Sequence, residues 1–262
     1  LSHYSSYLAA ELARLKIKEV PHTGYPEFKV DLNAYAEKIE EVKRETGKLP
    51  AVVLLTHVDY LYGNLNDARI VGKICKEYGV PFLLNAAYTA GIMPINCKEL
   101  GVDILVSSGH KSWAASAPTG ILALKEELAD RVLARSKITG DWSKRKFGLK
   151  EYALLGCTVM GAPLLSLMAS FPYVVKRVER WQEEVEKARF LVEELERIEG
   201  MKQLGTKPKQ HTLIHFESDG FYRVSQTHKR RGYFLYEELR ERGIVGIQPG
   251  LSKHFKLNTY GL

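Results

Sequence analysis

The sequence predicts an α/β fold, a mostly parallel sheet flanked by helices, with a small α+β domain at its C-terminal end. Three observations lead there. Through the first half, short apolar runs alternate with amphipathic stretches, the pattern of successive βα units. Each apolar run ends in polar residues, as strands do where an open α/β sheet gathers its ligand. Past residue 150 the pattern gives way to a long helical seam and then to short mixed elements.

Residues 51–55 read as a buried strand. A helix follows, with Asn66 or Asp67 as N-cap, Ile70, Val71, Ile74, Cys75 and Tyr78 on one face, and Gly79 as its stop. Residues 81–84 form the next strand, ending at Asn85, and residues 104–106 a third, ending at Ser107-Ser108-Gly109-His110-Lys111. Residues 121–124 read as a returning strand with a helix over 126–135 behind it. Residues 137–150 are basic and irregular, with Gly140 and Gly148 as breakers. Apolar residues spaced four and three apart, from Val174 and Val178 through Val185, Ala188 and Val192 to Leu195, predict one long helix ending at Gly200. Residues 213–216, 233–242, 244–247 and 255–257 supply the small domain. The expected division is a large domain over 1–150, a connecting buried segment over 151–172 and the small domain over 173–262.

Composition narrows the function classes. With 262 residues, 45% hydrophobic and 26% charged, the chain can form a sizeable core, which argues against global disorder. No basic segment precedes an apolar one near Leu1, so no signal peptide is read, and the opening residues read as the middle of a longer protein. The net charge of +7 suits an anionic partner such as tRNA, and equally a solvated Lys/Glu-rich surface. Three scattered cysteines, Cys75, Cys97 and Cys157, fit a reducing cytoplasm rather than a disulfide framework. Residues 153–175 lack charge over a length that could span a bilayer, but Gly156, Gly161, Pro163 and Pro172 interrupt them. A helix buried between two domains is expected there instead, with no membrane association.

Polar groups cluster after three strands in turn: Thr56-His57, Asn85-Ala86-Ala87-Tyr88 and Ser108-Gly109-His110-Lys111. Lys111 follows an apolar strand among small residues, where poor hydration lowers an amine's pKa and makes imine chemistry accessible. Position alone leaves open a surface lysine in a turn. A Walker A loop is excluded, because no glycine stands at the required spacing ahead of Lys111-Ser112. Cys75 and Cys97 read as packing residues. His57, Tyr88 and Asn64 are pocket candidates that fit ordinary strand-end and turn roles equally well. Lys144-Arg145-Lys146 and His228-Lys229-Arg230-Arg231, interleaved with Trp142, Phe147 and Tyr233, could meet tRNA phosphates or form a solvated basic face.

Asn85-Ala86-Ala87-Tyr88, Gly91, Leu105-Val106-Ser107-Ser108-Gly109-His110-Lys111 and Pro118-Thr119-Gly120 together resemble class V aminotransferases and cysteine desulfurases. A closer resemblance is to the O-phosphoseryl-tRNA:cysteinyl-tRNA synthase family of archaea. It is carried by Gly109-His110-Lys111-Ser112, Leu155-Gly156-Cys157-Thr158, Leu167-Met168-Ala169-Ser170-Phe171-Pro172 and Phe255-Lys256-Leu257 with Thr259-Tyr260-Gly261-Leu262. The resemblance implies a fold-type-I transferase dependent on pyridoxal 5′-phosphate (PLP). It implies that Lys111 carries the cofactor as a Schiff base and moves the substrate's α-proton. It further implies that Ser108, Gly109 and His110 contact the cofactor, Ser108 at its phosphate, that His3 stacks on the pyridine ring, and that Asn85 faces the ring nitrogen. At Asn85 the residues alone also allow a plain turn cap.

An asparagine there, where most such enzymes hold aspartate, gives a weaker electron sink, which suits elimination of a good leaving group. Cys157 is implied to handle sulfur, together with a cysteine pair linked in that family to persulfide chemistry or to an iron–sulfur cluster. This chain has no Cys-x-x-Cys, so that pair is expected either in a preceding segment or to be missing, and no metal site is expected here. The implied reaction is a β-replacement that converts phosphoseryl-tRNA(Cys) and a sulfur donor to cysteinyl-tRNA(Cys) and phosphate. A homodimer is implied, with phosphoseryl-tRNA synthetase as a further partner. The alternatives are a cysteine desulfurase or selenocysteine lyase, and a non-catalytic tRNA-binding scaffold.

Overall fold

The computed structural model describes residues 1–146, 148, 160–245 and 253–260. Strands β1 (Val53–Thr56), β2 (Phe82–Asn85) and β3 (Ile104–Ser108) pair in parallel, and β4 (Gly120–Leu124) returns antiparallel at the edge, in the order β1-β2-β3-β4. Parallel neighbours need a crossover. Helix α3 (Ala68–Tyr78) supplies it between β1 and β2, and the short α4 (Cys97–Leu100) precedes β3. The register sets Thr56 beside Asn85 and Asn85 beside Val106, so the polar strand ends share one edge.

Local chemistry makes α3 where it stands. The Asp67 side chain accepts from the Arg69 amide, choosing Asp67 over Asn66 as N-cap, and Gly79 ends the helix at φ 66°. Val71 and Cys75 then pack on Leu55, Phe82 and Leu84, with Ile39 of α2 (Ala34–Thr46) in the same core. Gly72 lets α3 approach α4: a Cβ there would come within 2.0 Å of the Leu100 carbonyl oxygen.

The C-terminal part is an antiparallel sheet, β5 (Met201–Leu204), β6 (Leu213–Ser218) and β7 (His254–Asn258), in that order. Helix α7 (Trp181–Glu196) covers it through Ala188 and Val192 against Ile214, Phe216 and Phe255. Helices α8 (Asp219–Thr227) and α9 (Phe234–Glu241) flank it, and α1 (Tyr4–Leu12) and α5 (Glu126–Val132) complete the described helices with α6 (Gly161–Glu179).

The expected single helix ending at Gly200 is two. α6 closes at Arg180, whose amide bonds to the Arg177 and Val178 carbonyls, and α7 begins at Trp181. The apolar seam continues across the break, but its two halves meet different partners. Val174 faces Gly91 of the first sheet's loops, whereas α7 faces the second sheet. One straight helix could not serve both. The stretch expected to be buried over 151–172 also differs where it is described: Leu165 and Met168 of α6 are 65% and 63% exposed. No described element lies over that side of the helix, which runs through Pro172 without ending. Residues 244 and 245 are not strand, and the rest of that expected strand lies outside the described residues. No helix among the described residues is long and apolar enough to cross a membrane.

Candidate active site

The carboxyl edge of the parallel sheet carries the candidate residues. Lys111 stands three residues beyond β3 in a turn closed by two backbone bonds, Ala114 N–H to the Lys111 carbonyl and Ala115 N–H to that of Gly109, each 3.0 Å. Gly109 is required there, since a Cβ would sit 2.6 Å from Thr119 Oγ1. The Lys111 ammonium is half-buried and lies 4.4 Å from the centroid of the Tyr88 ring. Among the described residues it has no carboxylate partner, and burial lowers its pKa from the ordinary lysine value.

Asn85 ends β2, and its Oδ1 accepts from the Ala87 amide at 3.1 Å. The turn-capping role and a cofactor role are therefore compatible: the oxygen caps the turn, and the Nδ2 donor can serve another group. His3 caps α1, its Nδ1 accepting from the Ser5 amide at 3.3 Å. Its ring lies 4.9 Å from that of Tyr60 in an edge-on arrangement. Burial holds the His3 pKa low, and the Lys111 and Lys256 ammonium groups lower it further. Lys256 of β7 donates to the Tyr60 carbonyl at 2.9 Å and sits 5.0 Å over the Tyr60 ring. Two ammonium groups thus act on one imidazole, a field suited to an anionic ligand.

Ser108 sits at the end of β3 opposite Gly120. His110 is exposed, with Nδ1 3.1 Å from the Thr119 carbonyl oxygen. Cys157 and its motif lie outside the described residues. The basic runs are exposed, but Arg230 is ion-paired with Glu237, and Trp142 stands 96% exposed beside the first of them.

His57 and Asn64, candidates from the sequence, take positioning roles, and His211, which the sequence did not single out, joins them. His211 is fully buried; its Nε2 donates to the Tyr88 carbonyl at 2.7 Å while its Nδ1 accepts the Leu213 amide at 3.1 Å. Those partners fix a neutral tautomer, and burial pushes its pKa down to about 3. His57, also buried, has Nδ1 3.0 Å from Thr89 Oγ1, and burial takes its pKa to about 4. Asn64 joins the two sheets: Nδ2 donates to the Glu27 carbonyl at 2.9 Å and Oδ1 accepts from the Thr206 amide at 2.8 Å. The sequence signal for His211 and Lys256 was weak, because both are far from Lys111 along the chain.

A parallel sheet with a lysine after its third strand and a separate antiparallel sheet behind it is the architecture of fold-type-I PLP-dependent enzymes. The same fold occurs in the apo structure of a cysteine desulfurase from Thermococcus onnurineus NA1, 22% identical, with a TM-score of 0.71 over 94% of this chain and 60% of that one. Sequence then sets the family. The profile of the family described as "O-phosphoseryl-tRNA(Sec) selenium transferase, SepSecS" matches residues 1–260. The chain is 57% identical over its whole length to "O-phospho-L-seryl-tRNA:Cys-tRNA synthase 2" of Archaeoglobus fulgidus, spanning 67% of that protein. A chain in the crystal structure of a SepCysS–SepCysE N-terminal domain complex is 52% identical, with a TM-score of 0.89 over 100% of this chain and 68% of that one. The chain belongs to the SepSecS family and, within it, to the O-phospho-L-seryl-tRNA:Cys-tRNA synthases.

Proposed function

We propose that the full-length protein converts O-phosphoseryl-tRNA(Cys) and a sulfur donor to cysteinyl-tRNA(Cys) and phosphate with PLP held on Lys111. The observation that carries this reading is the Lys111 amine itself: desolvated, with no acid beside it among the described residues, and over the Tyr88 ring. The residues present fit the cofactor. Lys111 offers the amine, His3 an imidazole beside it, and Asn85 an Nδ2 donor that can meet an unprotonated ring nitrogen while its oxygen caps the turn. When bound, PLP supplies an electron sink for charge developing at the substrate α-carbon.

The chain's own residues then have definite tasks. Lys111, once displaced by the substrate amine, is a base of lowered pKa that takes the proton from Cα and later returns it. Asn85 donates without protonating the ring, which keeps the sink weak and favours loss of a good leaving group over prolonged charge at Cα. The C–O bond at Cβ breaks with its electron pair leaving on phosphate, and sulfur adds at the same carbon. With hydrosulfide as donor the exchange is redox-neutral. The Lys256 and Lys111 ammonium groups, which act together on the His3 imidazole, make the surroundings electropositive, which suits a phosphorylated substrate. Ser108, Gly109 and His110 remain the proposed cofactor contacts on the β3 side, and Cys157 the proposed sulfur-handling residue.

The reading extends to a cytoplasmic homodimer, supported by the exposed apolar side of α6. It also includes an iron–sulfur cluster or persulfide on segments preceding this chain, and phosphoseryl-tRNA synthetase as a partner. The large unit over 1–150 holds the cofactor side, and the small unit over 173–262 supplies Lys256 and His211.

The test uses full-length protein under anaerobic conditions. With PLP, sulfide and phosphoseryl-tRNA, wild type is expected to release phosphate and form Cys-tRNA, and borohydride to fix the cofactor on the Lys111 peptide. Lys111→Ala is expected to lose both. An active Lys111→Ala variant, or alanine release from free cysteine without tRNA, would overturn the reading.

A further inference from the structure

Arg177 of α6 is 2% exposed, yet among the described residues it forms no ion pair. Its Nε and Nη2 donate to the Gly91 carbonyl at 3.1 and 2.7 Å, and Nη2 also donates to the Ser112 carbonyl. The Tyr260 ring covers it, 5.1 Å from the guanidinium carbon. Among the described residues the guanidinium bonds only to carbonyls, with the buried Glu184 carboxylate acting on it at longer range, and such burial is costly because dipoles replace its water without a direct ion pair. A leucine or methionine would fill a helix face without that cost. What the guanidinium adds is a planar fork that spans two acceptors.

Those two acceptors flank the candidate site. Ser112 directly follows Lys111, and Gly91 closes the loop that begins at Asn85 and carries Tyr88. The two loops are laced a second time by Ser112 Oγ, which donates to the Ala90 carbonyl at 2.6 Å. The approach is close: Gly91 adopts φ +86°, which disfavours a side chain, and a Cβ would lie tightly at 3.2 Å from Trp113 Nε1 and from Val174 Cγ1, and 3.3 Å from the Ser112 carbonyl oxygen. Trp113 Nε1 is itself buried without a hydrogen-bond partner among the described residues, where the lacing rests on Arg177 and Ser112.

We propose that Arg177 is a positioning residue that clamps the Lys111 turn to the Tyr88 loop and so fixes where the lysine amine meets its cofactor. The inference rests on Lys111 being the PLP lysine. Helix α6 thereby acts on the chemistry through two backbone carbonyls, without touching cofactor or substrate. Arg177→Met removes both bonds at similar volume. Arg177→Lys keeps the charge but, as a single-point donor, can serve only part of the bridge.

The experiment uses full-length protein with three variants: Arg177→Met, Arg177→Lys and, as a core-truncation control on α7 that leaves the Arg177 bonds in place, Val185→Ala. Two readouts are taken: the rate at which added PLP becomes borohydride-fixed on Lys111, with the pH midpoint of its absorbance, and hydrogen exchange at the Ala114 and Ala115 amides without cofactor. Arg177→Met is expected to slow fixation at least tenfold, shift the midpoint and speed both amides at least tenfold, with Arg177→Lys intermediate and Val185→Ala unchanged in each. Should Arg177→Met not fold, Arg177→Lys carries the same comparison. Wild-type fixation and exchange in the folded Arg177 variants, or an equal loss in Val185→Ala, would overturn the clamp. If wild type fixes no PLP on Lys111 while the amides still quicken in Arg177→Met, the clamp stands and the cofactor reading falls.

Discussion

Lys111 and the groups around it are governed by desolvation more than by pairing. Burial lowers the lysine's pKa, and the same cause acts on His57 and His211, whose folded values near 4 and 3 lie below the ordinary 6.5. The consequence for stability has a definite sign. The unfolded chain binds protons at both imidazoles below about pH 6.5, and the folded chain resists until pH 4 or lower. Stability is therefore full above about pH 6.5 and is lost as pH falls through the window towards 4, by up to roughly 1.4 kcal/mol per pH unit for each histidine. Urea titrations at pH 7 and pH 5 check this: His211→Gln is expected to lower stability at pH 7 but to show a shallower loss between the two pH values than wild type. An unchanged slope would mean that His211 is not held neutral.

At the scale of elements, the crossing of α3 over α4 is set by one missing side chain. A glycine inside a helix ordinarily weakens it, so Gly72→Ala on helix propensity alone would stabilise by about 1 kcal/mol. Here the added Cβ would meet the Leu100 carbonyl oxygen at 2.0 Å, and backbone has to move. The expected outcome is a net loss of about 1–3 kcal/mol, read by chemical denaturation. Because α4 leads directly into β3, the displacement should also reach the strand that ends beside Lys111. Helix α6 illustrates the same dependence: its sequence reads as one seam with α7, but the chain breaks at Arg180 so that Arg177 and Val174 can face the Lys111 and Gly91 loops.

The whole molecule depends on how the second sheet is docked onto the loop after β1. Lys209, 2% exposed, donates to the Tyr62 and Gly63 carbonyls at 2.8 and 2.9 Å, with Asn64 joined to Thr206 alongside. Gly63, at φ +68°, lets the backbones meet, since a Cβ would fall 2.0 Å from the Leu213 carbonyl oxygen. Burial lowers the Lys209 pKa to about 8, with nearby Asp59 opposing the fall. Lys209→Met would leave two buried carbonyls unpaired, at about 1–3 kcal/mol. Hydrogen exchange of the Thr206 amide, bonded across the junction, should then quicken by roughly ten- to a hundredfold relative to amides inside β2. Uniform quickening would point to global destabilisation instead.

The sequence by itself determined the parallel strands, their polar carboxyl ends, the α3 cap and stop, and Lys111 as the residue to watch. Each is written locally, in periodicity, capping chemistry or a strand-end position, and the family resemblance rests on the same short runs. β5 escaped notice because four residues carry too little periodicity, and α2 because its composition is mostly charged. Only the tertiary structure decided that His211 and Lys256, more than a hundred residues further on, turn towards Tyr88 and His3, and that Arg177 holds the Lys111 turn. These contacts depend on which backbone carbonyls a buried cation or imidazole meets. Carbonyls are identical in every residue, so no pattern of side chains announces them before the chain has folded.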